Sequence, residues 1–500
     1  MKARWKILIA IDVVMVVALL ASIIHHYQLR AATNAYIAEL KAKGEPMDLA
    51  QVSPPSVPPE KNSAEAFRQA AALFHDNPTL LTTNYFYSGM KMVAPGKAAI
   101  IAKQPDLRDE SGTNSWQEFQ TAVGENKEAF ALLYQIIEKP TFDFGIHYDK
   151  GMDNLDFTNL SLAATKAAAF RLGAAALTDL HAGNTADATK NVRAMLAIGN
   201  AMRDERLVIS ELVRLAIVYL AFPETWEILQ STNVTDAQLA ALQKDWASLE
   251  FFHSMETALE TERATSAVTT RQFRSSNSTM WIPKPELSSL DRLRVKSRIF
   301  RWRYWWSYPD EVLSLRGDEL ILDAFRAAQT NDALLSIQNE LQSNIAKLSI
   351  PTNDNAFFWP SDPMTADLHF TLSESVPALA KPFSRAIKIE IAKRIVIAAI
   401  ALQRYHLKHG DYPANLAALT PEFISDIPRD PVDGQFLRYQ LNSDSTFRLY
   451  SIGDDAKDDG GDPTVSGGSA SIQWQRGRDW VWPQPATAAE IKKFYDNPPK

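Results

Sequence analysis

An apolar run from Ile7 to Ile24, eighteen residues interrupted only by Asp12, constrains this chain more than any other feature. Coiled as a helix at 1.5 Å per residue it reaches roughly 27 Å, close to the ~30 Å hydrocarbon core of a bilayer. Lys2, Arg4 and Lys6 precede it, and clustered cations at one end of a span stay in the cytoplasm. Residues 1–29 therefore read as a transmembrane signal-anchor in the inner membrane, crossing once, with the bulk of the chain periplasmic or otherwise extracytoplasmic. The rival is a cleaved leader, for which Leu19-Leu20-Ala21 is a passable cutting site. An acid in such a run is tolerated when it is paired, near an interface or protonated, so Asp12 reads as a tolerated acid in a monotopic anchor.

The 500 residues suggest roughly three structural units. No cysteine is present, which excludes disulfides, Cys-ligated zinc, iron–sulfur clusters and a catalytic thiol. A net charge of −7 is the wrong sign for a dedicated nucleic-acid binder, and no nucleic-acid partner is expected.

Beyond the anchor, residues 30–61 are expected to form a stalk and proline-rich linker. The stalk is a helix over Gln28–Lys43, and Ser53-Pro54-Pro55-Ser56-Val57-Pro58-Pro59 follows as an extended spacer. Residues 62–378 read as a helical body that opens on Asn62-Ser63-Ala64-Glu65, whose first and fourth residues have capping-box character. Three- and four-residue spacing from Trp116 to Ile136 predicts one helical face. Ser161–Leu180 and Ala186–Met202, joined at His181-Ala182-Gly183-Asn184, predict a helical hairpin of tetratricopeptide (TPR-like) type within an irregular stack. Helices over Leu207–Leu220 and Asp236–Ala267 follow. From residue 379 to 476 a helix over Ala386–Lys408 gives way to short alternating runs, Phe436–Leu441, Phe447–Ile452 and Ser471–Trp474, which predict a small antiparallel sheet. Residues 477–500 are the tail.

Leu402-Gln403-Arg404-Tyr405, Gly410-Asp411-Tyr412-Pro413, Ile427-Pro428-Arg429-Asp430-Pro431-Val432-Asp433-Gly434 and Leu449-Tyr450-Ser451-Ile452-Gly453-Asp454-Asp455 occur in that order. With this spacing the stretch from about 386 to 475 resembles the globular part of type II secretion major pseudopilins. Phe142–Leu229, with Asp204-Glu205-Arg206-Leu207-Val208-Ile209-Ser210-Glu211, resembles a group of uncharacterised bacterial envelope proteins. No peptidase-processed Gly-Phe-Thr-Leu type motif precedes Ile7, so the pseudopilin likeness implies a shape rather than a filament role. The fold class expected is mainly α: a transmembrane helix, an irregular helical body and a small C-terminal α+β pseudopilin-like domain.

Asp454, Asp455, Asp458, Asp459 and Asp462 fall within nine residues beside Gly460 and Gly461. Calcium takes six to eight oxygen ligands, which a carboxylate-rich loop can supply. The pseudopilin resemblance implies calcium there, Asp455, Asp458 and Asp459 first, with Ala456 where that pattern commonly has glycine. The plain alternative is a solvated acidic hairpin tip. From Arg292 to Trp306, six Arg or Lys residues interleave with Phe300, Trp302, Tyr304, Trp305 and Trp306. This pattern suits contact with an anionic membrane surface, or an amphipathic helix whose rings pack into the body. His253, Glu256 and Glu260 share a helical face, and Glu211 and Arg214 stand i, i+3 in an apolar helix, the spacing of an ion pair. The chain contains no phosphate loop, no His-Glu-x-x-His and no Gly-x-Ser-x-Gly. The function expected is a membrane-anchored interaction or scaffold protein with protein partners in the envelope, linked to the secretion or envelope apparatus. The alternative is an envelope hydrolase or metal-dependent enzyme, expected to show a pocket lined by His253, Glu256, Glu211 and Arg214.

Overall fold

A computed structural model describes residues 2–75, 89–108, 113–146, 148, 162–275, 288–348, 375–465 and 474–497. The apolar run lies in α1 (Lys2–Ala42), one continuous helix of 41 residues. Its large side chains from Ile7 to Ile24 are exposed, and the helix is long and apolar enough to cross a membrane. Past the run, Leu29, Thr33, Ile37 and Leu40 recur every three or four residues and so share a face. Thr33 and Leu40 are buried, and Leu40 packs with Met47, Ala267 and Leu315. The helix expected as a stalk is docked on the body. The linker follows suit: α2 (Leu49–Val52) lies against the helical body, and Val57 N–H donates to Asp143 at 3.2 Å.

The body opens with α3 (Ala64–Leu73), but not through the expected capping box. Asn62 Oδ1 accepts from Ala64 N–H and from Asp143 N–H, while Ser63 Oγ donates to Lys139 O. The polar residues at this start tie two segments together instead of closing the helix end. A hairpin of β1 (Lys91–Ala94) and β2 (Lys97–Ala99) precedes a two-residue pair, β3 (Leu107–Arg108) with β4 (Thr113–Asn114). Then α4 (Trp116–Gly124), capped by Ser115 and Glu118, and α5 (Lys127–Leu133) bury Phe119, Phe130 and Leu133.

α6 (Leu162–His181) and α7 (Thr185–Ala201) form the expected antiparallel hairpin. Gly183 supplies the left-handed turn at φ +79°, and the Asn184 side chain accepts from Asp187 N–H to cap α7. The buried alanines of α6 bring α8 (Val208–Leu229) close, and α8 touches α6, α7, α10 and α14. It runs nine residues past its expected end because Pro223 is absorbed inside it. The helix expected over Asp236–Ala267 is two, α9 (Asp236–Ala247) and α10 (Phe252–Ser275). The Glu250 carboxylate accepts from His253 and Ser254 N–H, capping α10 at a break that no Gly or Pro announces.

After α11 (Ser289–Arg301) comes a π-helical turn, Trp302–Trp306, then α12 (Ser307–Ala328) and α13 (Leu334–Lys347). The long α14 (Val376–His409) starts ten residues before its expected beginning and ends at Gly410, φ +90°. α14 buries Ile395, Val396 and Ala398–Leu402 within the body. β5 (Arg438–Leu441) pairs antiparallel with β6 (Phe447–Ser451), as expected. The third strand is β7 (Trp480–Val481), not Ser471–Trp474. Residues 471–473 lie outside the described residues, and Trp474 forms a 3₁₀ turn whose ring stacks on Phe222 at 4.2 Å. The tail returns to the body: β8 (Gln484–Pro485) pairs parallel with β2, and α15 (Ala488–Asp496) lies on β1. Among the described residues, one hydrophobic core includes side chains on both sides of the expected 378/379 boundary, from Ala64 to Trp482.

The α12–α14 crossing depends on a glycine. A Cβ on Gly317 would sit 2.5 Å from both Val376 methyls, whereas one on Gly124 meets nothing within 4 Å. Gly317→Ala is expected to lower stability by about 1–3 kcal/mol, and Gly124→Ala to change it little. Parallel urea melts of the full chain check this, with equal midpoints for the two variants as the contrary result.

Candidate functional site

The described residues gather their unusual chemistry where α1 leaves its apolar run. Ser22 Oγ accepts from Trp305 Nε1 at 2.7 Å, and His26 Nδ1 lies 2.8 Å from Tyr304 O. One turn on, the His26 ring meets Tyr308 edge-on at 5.3 Å. Further along, Tyr36 Oη donates to Glu319 at 2.8 Å, and Lys43 pairs with the same carboxylate at 3.0 Å. The end of the docked segment is an ionic clamp. Glu45 receives Arg263 and Arg326, each at 2.6 Å, and Arg326 also reaches Glu256 at 2.6 Å and Glu260 at 3.1 Å. Burial would raise the Glu45 carboxyl, but hydrogen bonds from Arg326 and Arg263 hold it below the usual carboxylate range. Charges from the segment after α1, from α10 and from α12 thus lock together, tying the end of the long apolar helix to the body.

The aromatic and basic stretch is divided by this arrangement. Trp302 turns inward, its Nε1 donating to Asp310 at 3.0 Å and its ring edge-on to Phe273, and Arg274 lies over Tyr308 at 3.9 Å. Leu290, Leu293, Phe300, Tyr304 and Trp305 are exposed. The side chains of Arg292, Arg294 and Arg298 lie outside the described residues.

Of the four residues expected to line an enzyme pocket, two are buried inside the body and two lie on α10. Glu211 and Arg214 are fully buried and paired at 2.9 Å, and Arg214 also donates to Gly199 O and Ser254 Oγ. His253 is 65% exposed, while Glu256 is held by Arg326 and Gln329. Sequence reasoning missed a buried pair of acids farther along α8, Glu224 and Glu227. Glu224 Oε1 accepts from Gly89 N–H, and Glu227 accepts from Met90, Ile101 and Ala102 N–H. Burial pushes Glu227 up to about 7 and Glu224 well above the carboxylate range. Two acids i, i+3 among the apolar residues of 215–229 were the available signal. Their geometry is that of a structural dock for the β1–β2 hairpin.

The acidic loop lies on the surface beside β6. Asp454 faces Lys388 at 3.3 Å, Asp455 accepts from Lys457 N–H, and Asp462 accepts from Thr464 N–H and Oγ1–H. Asp458 accepts from Gly460 N–H and Tyr450 Oη–H, and Asp459 is exposed. Ala456 adopts a left-handed φ of +56°, the conformation glycine takes at least cost. Among the described residues no group of three His, Asp or Glu side chains converges as a metal ion would need. Beneath the loop, buried Asp479 accepts Gly461 and Asp462 N–H through Oδ2, while its Oδ1 has no hydrogen-bond partner. Burial raises the Asp479 carboxyl, and the Asp458 and Asp459 charges add to the effect.

No family model, no curated protein and no solved structure matches the chain.

Proposed function

We propose that this chain is a single-pass, membrane-anchored scaffold that holds its helical body against the outer face of the inner membrane and presents it to protein partners of the envelope. The observation that carries this reading is the continuity of α1, whose exposed apolar run passes within one helix into a docked half that ends just before the Glu45, Arg263 and Arg326 clamp. A helix held at Ser22 and His26 and again just past its C-terminal end cannot swing its cargo freely, so the body has a defined surface toward the lipid and another away from it. The TPR-like character of the α6–α7 hairpin, and a pseudopilin-like 386–475 stretch linked to the secretion apparatus, belong to the same proposal. Glu211 and Arg214 are buried against each other and Glu256 is held by Arg326 and Gln329, so an enzyme site in the body draws no support from them. Crosslinking with mass spectrometry on intact cells tests the scaffold. A reproducible envelope neighbour attached through the body is expected, and crosslinks confined to the chain itself would count against it.

Calcium at the acidic loop is a second reading, favoured by the unpartnered, buried Oδ1 of Asp479 at the loop's base. Asp479 and Asp458 would hold the ion, whose charge would offset the crowded carboxylates. Thermal melts of the full chain in calcium and in chelator test it. A higher melting temperature in calcium, abolished by Asp479→Asn, is expected, and superimposed melts would contradict it.

A further inference from the structure

We propose that the notch between the outer end of the α1 span and the Arg301–Pro309 segment is a seat for an anionic phospholipid from the adjoining leaflet. The inference rests on the anchored reading and adds a ligand to it. The notch has a volume of about 350 Å³ and is lined by His25, Leu29, Arg301, Trp305, Trp306 and Pro309. That volume falls at the small end of the range for ligand pockets.

Position identifies the source of the ligand. The hydrogen bond from Trp305 to Ser22 fixes the notch beside residues 22–29 of α1. If Ile7–Ile24 fills the hydrocarbon, that is the level where acyl chains give way to headgroups, the layer in which Trp and Tyr side chains concentrate. The neighbouring α11 is built for the same layer. Leu290, Leu293 and Phe300 are all exposed, and at 100° per residue they fall within an arc of about 80°. An apolar stripe of this kind, left facing outward next to a membrane helix, lies in the plane of the interface with its rings among the acyl ends.

Charge identifies the class of lipid. No Asp or Glu occurs from Arg292 to Pro309, while Arg292, Arg294, Lys296, Arg298, Arg301 and Arg303 do. Arg301 lines the notch itself, and its planar guanidinium matches a phosphodiester. Leu29, Trp305, Trp306 and Pro309 offer the apolar wall that an acyl chain needs. The combination of one cationic lip and an apolar wall beside the span fits a phospholipid better than a soluble phosphate.

Native mass spectrometry of the full chain, released from nanodiscs of equimolar phosphatidylglycerol and phosphatidylcholine, tests the proposal. Incorporation into the discs reports on the anchor, and the lipid adducts report on the seat, so the two can fail separately. Retained phosphatidylglycerol should exceed phosphatidylcholine by at least about fivefold, the preference one interfacial cation confers. Arg301→Gln should bring that ratio close to one and Arg301→Lys should restore most of it, at unchanged melting temperature. Excess inorganic phosphate should not displace the lipid. Equal retention of the two lipids, a ratio unmoved by Arg301→Gln, or displacement by inorganic phosphate would each overturn the proposal.

Discussion

Arg214→Leu is expected to destabilise the protein by about 3–5 kcal/mol, the usual penalty for stranding a buried charge. The guanidinium is fully buried at the crossing of α7, α8 and α10. It donates to Gly199 O at 2.9 Å, to Glu211 at 2.9 Å and to Ser254 Oγ at 2.7 Å, and it also bonds Glu250 O. Leucine would leave the Glu211 carboxylate with only Ser254 as a donor, and the Gly199 and Glu250 carbonyls would lose the same partner. Burial already raises the Glu211 carboxyl against the pull of Arg214, so without the arginine it would take up a proton. The Glu211→Leu, Arg214→Leu double variant should recover part of the loss, because the pair's main energetic role is to avoid an uncompensated charge. Urea denaturation of the full chain followed by circular dichroism measures both. A single variant within about 1 kcal/mol of the parent would mean that Arg214 is not the lock described here.

Stability should fall as pH rises from about 5 to 8. Burial raises the carboxyls of Glu205, Glu227 and Asp318 to about 7 and that of Asp179 to about 6. In the unfolded chain these groups ionise near 4.5 for Glu and 3.8 for Asp. Between those values the native state binds more protons than the unfolded state, so the unfolding free energy decreases with pH. The stabilisation is complete below the unfolded values and gone above about 7. A shift from 4.5 to about 7 corresponds to on the order of 3 kcal/mol per group before relaxation. The acids held low by cations, Glu45, Glu390 and Asp433 among them, act only below about pH 4.5 and leave this window untouched. Melting temperature should therefore peak near pH 5 and decline toward pH 8, and Glu227→Gln should flatten the decline. A melting temperature constant or rising from pH 5 to 8 would contradict the buried, protonated acids.

Elements set by local chemistry were legible in the sequence. The apolar run with its flanking cations, the Gly183-Asn184 turn between α6 and α7, the Gly410 terminus of α14 and the β5–β6 hairpin all carry their signal within a few residues. Elements set by distant partners were not. The break between α9 and α10 depends on a Glu250 side chain acting as a cap, and the extension of α8 past Pro223 depends on packing from four helices. Strand β7 and strand β8 are two residues each, too short for alternation to show. At the candidate site, the Trp302–Trp306 turn stood out by composition. Its apposition to Ser22 and His26 links positions 278 to 283 residues apart, which a single sequence cannot express. Leu29, Thr33, Ile37 and Leu40 carry a packing stripe, which the stalk reading did not use.

The account turns on which side of the lipid the body occupies, and the absence of cysteine makes that directly measurable. Ser443→Cys places a single thiol on the exposed β5–β6 turn, and Lys6→Cys places one at the cationic end of α1. Intact spheroplasts are treated with a membrane-impermeant maleimide. Ser443→Cys should be labelled without lysis and Lys6→Cys only after it. Labelling of Lys6→Cys in intact spheroplasts, with Ser443→Cys protected until lysis, would invert the topology and contradict the account.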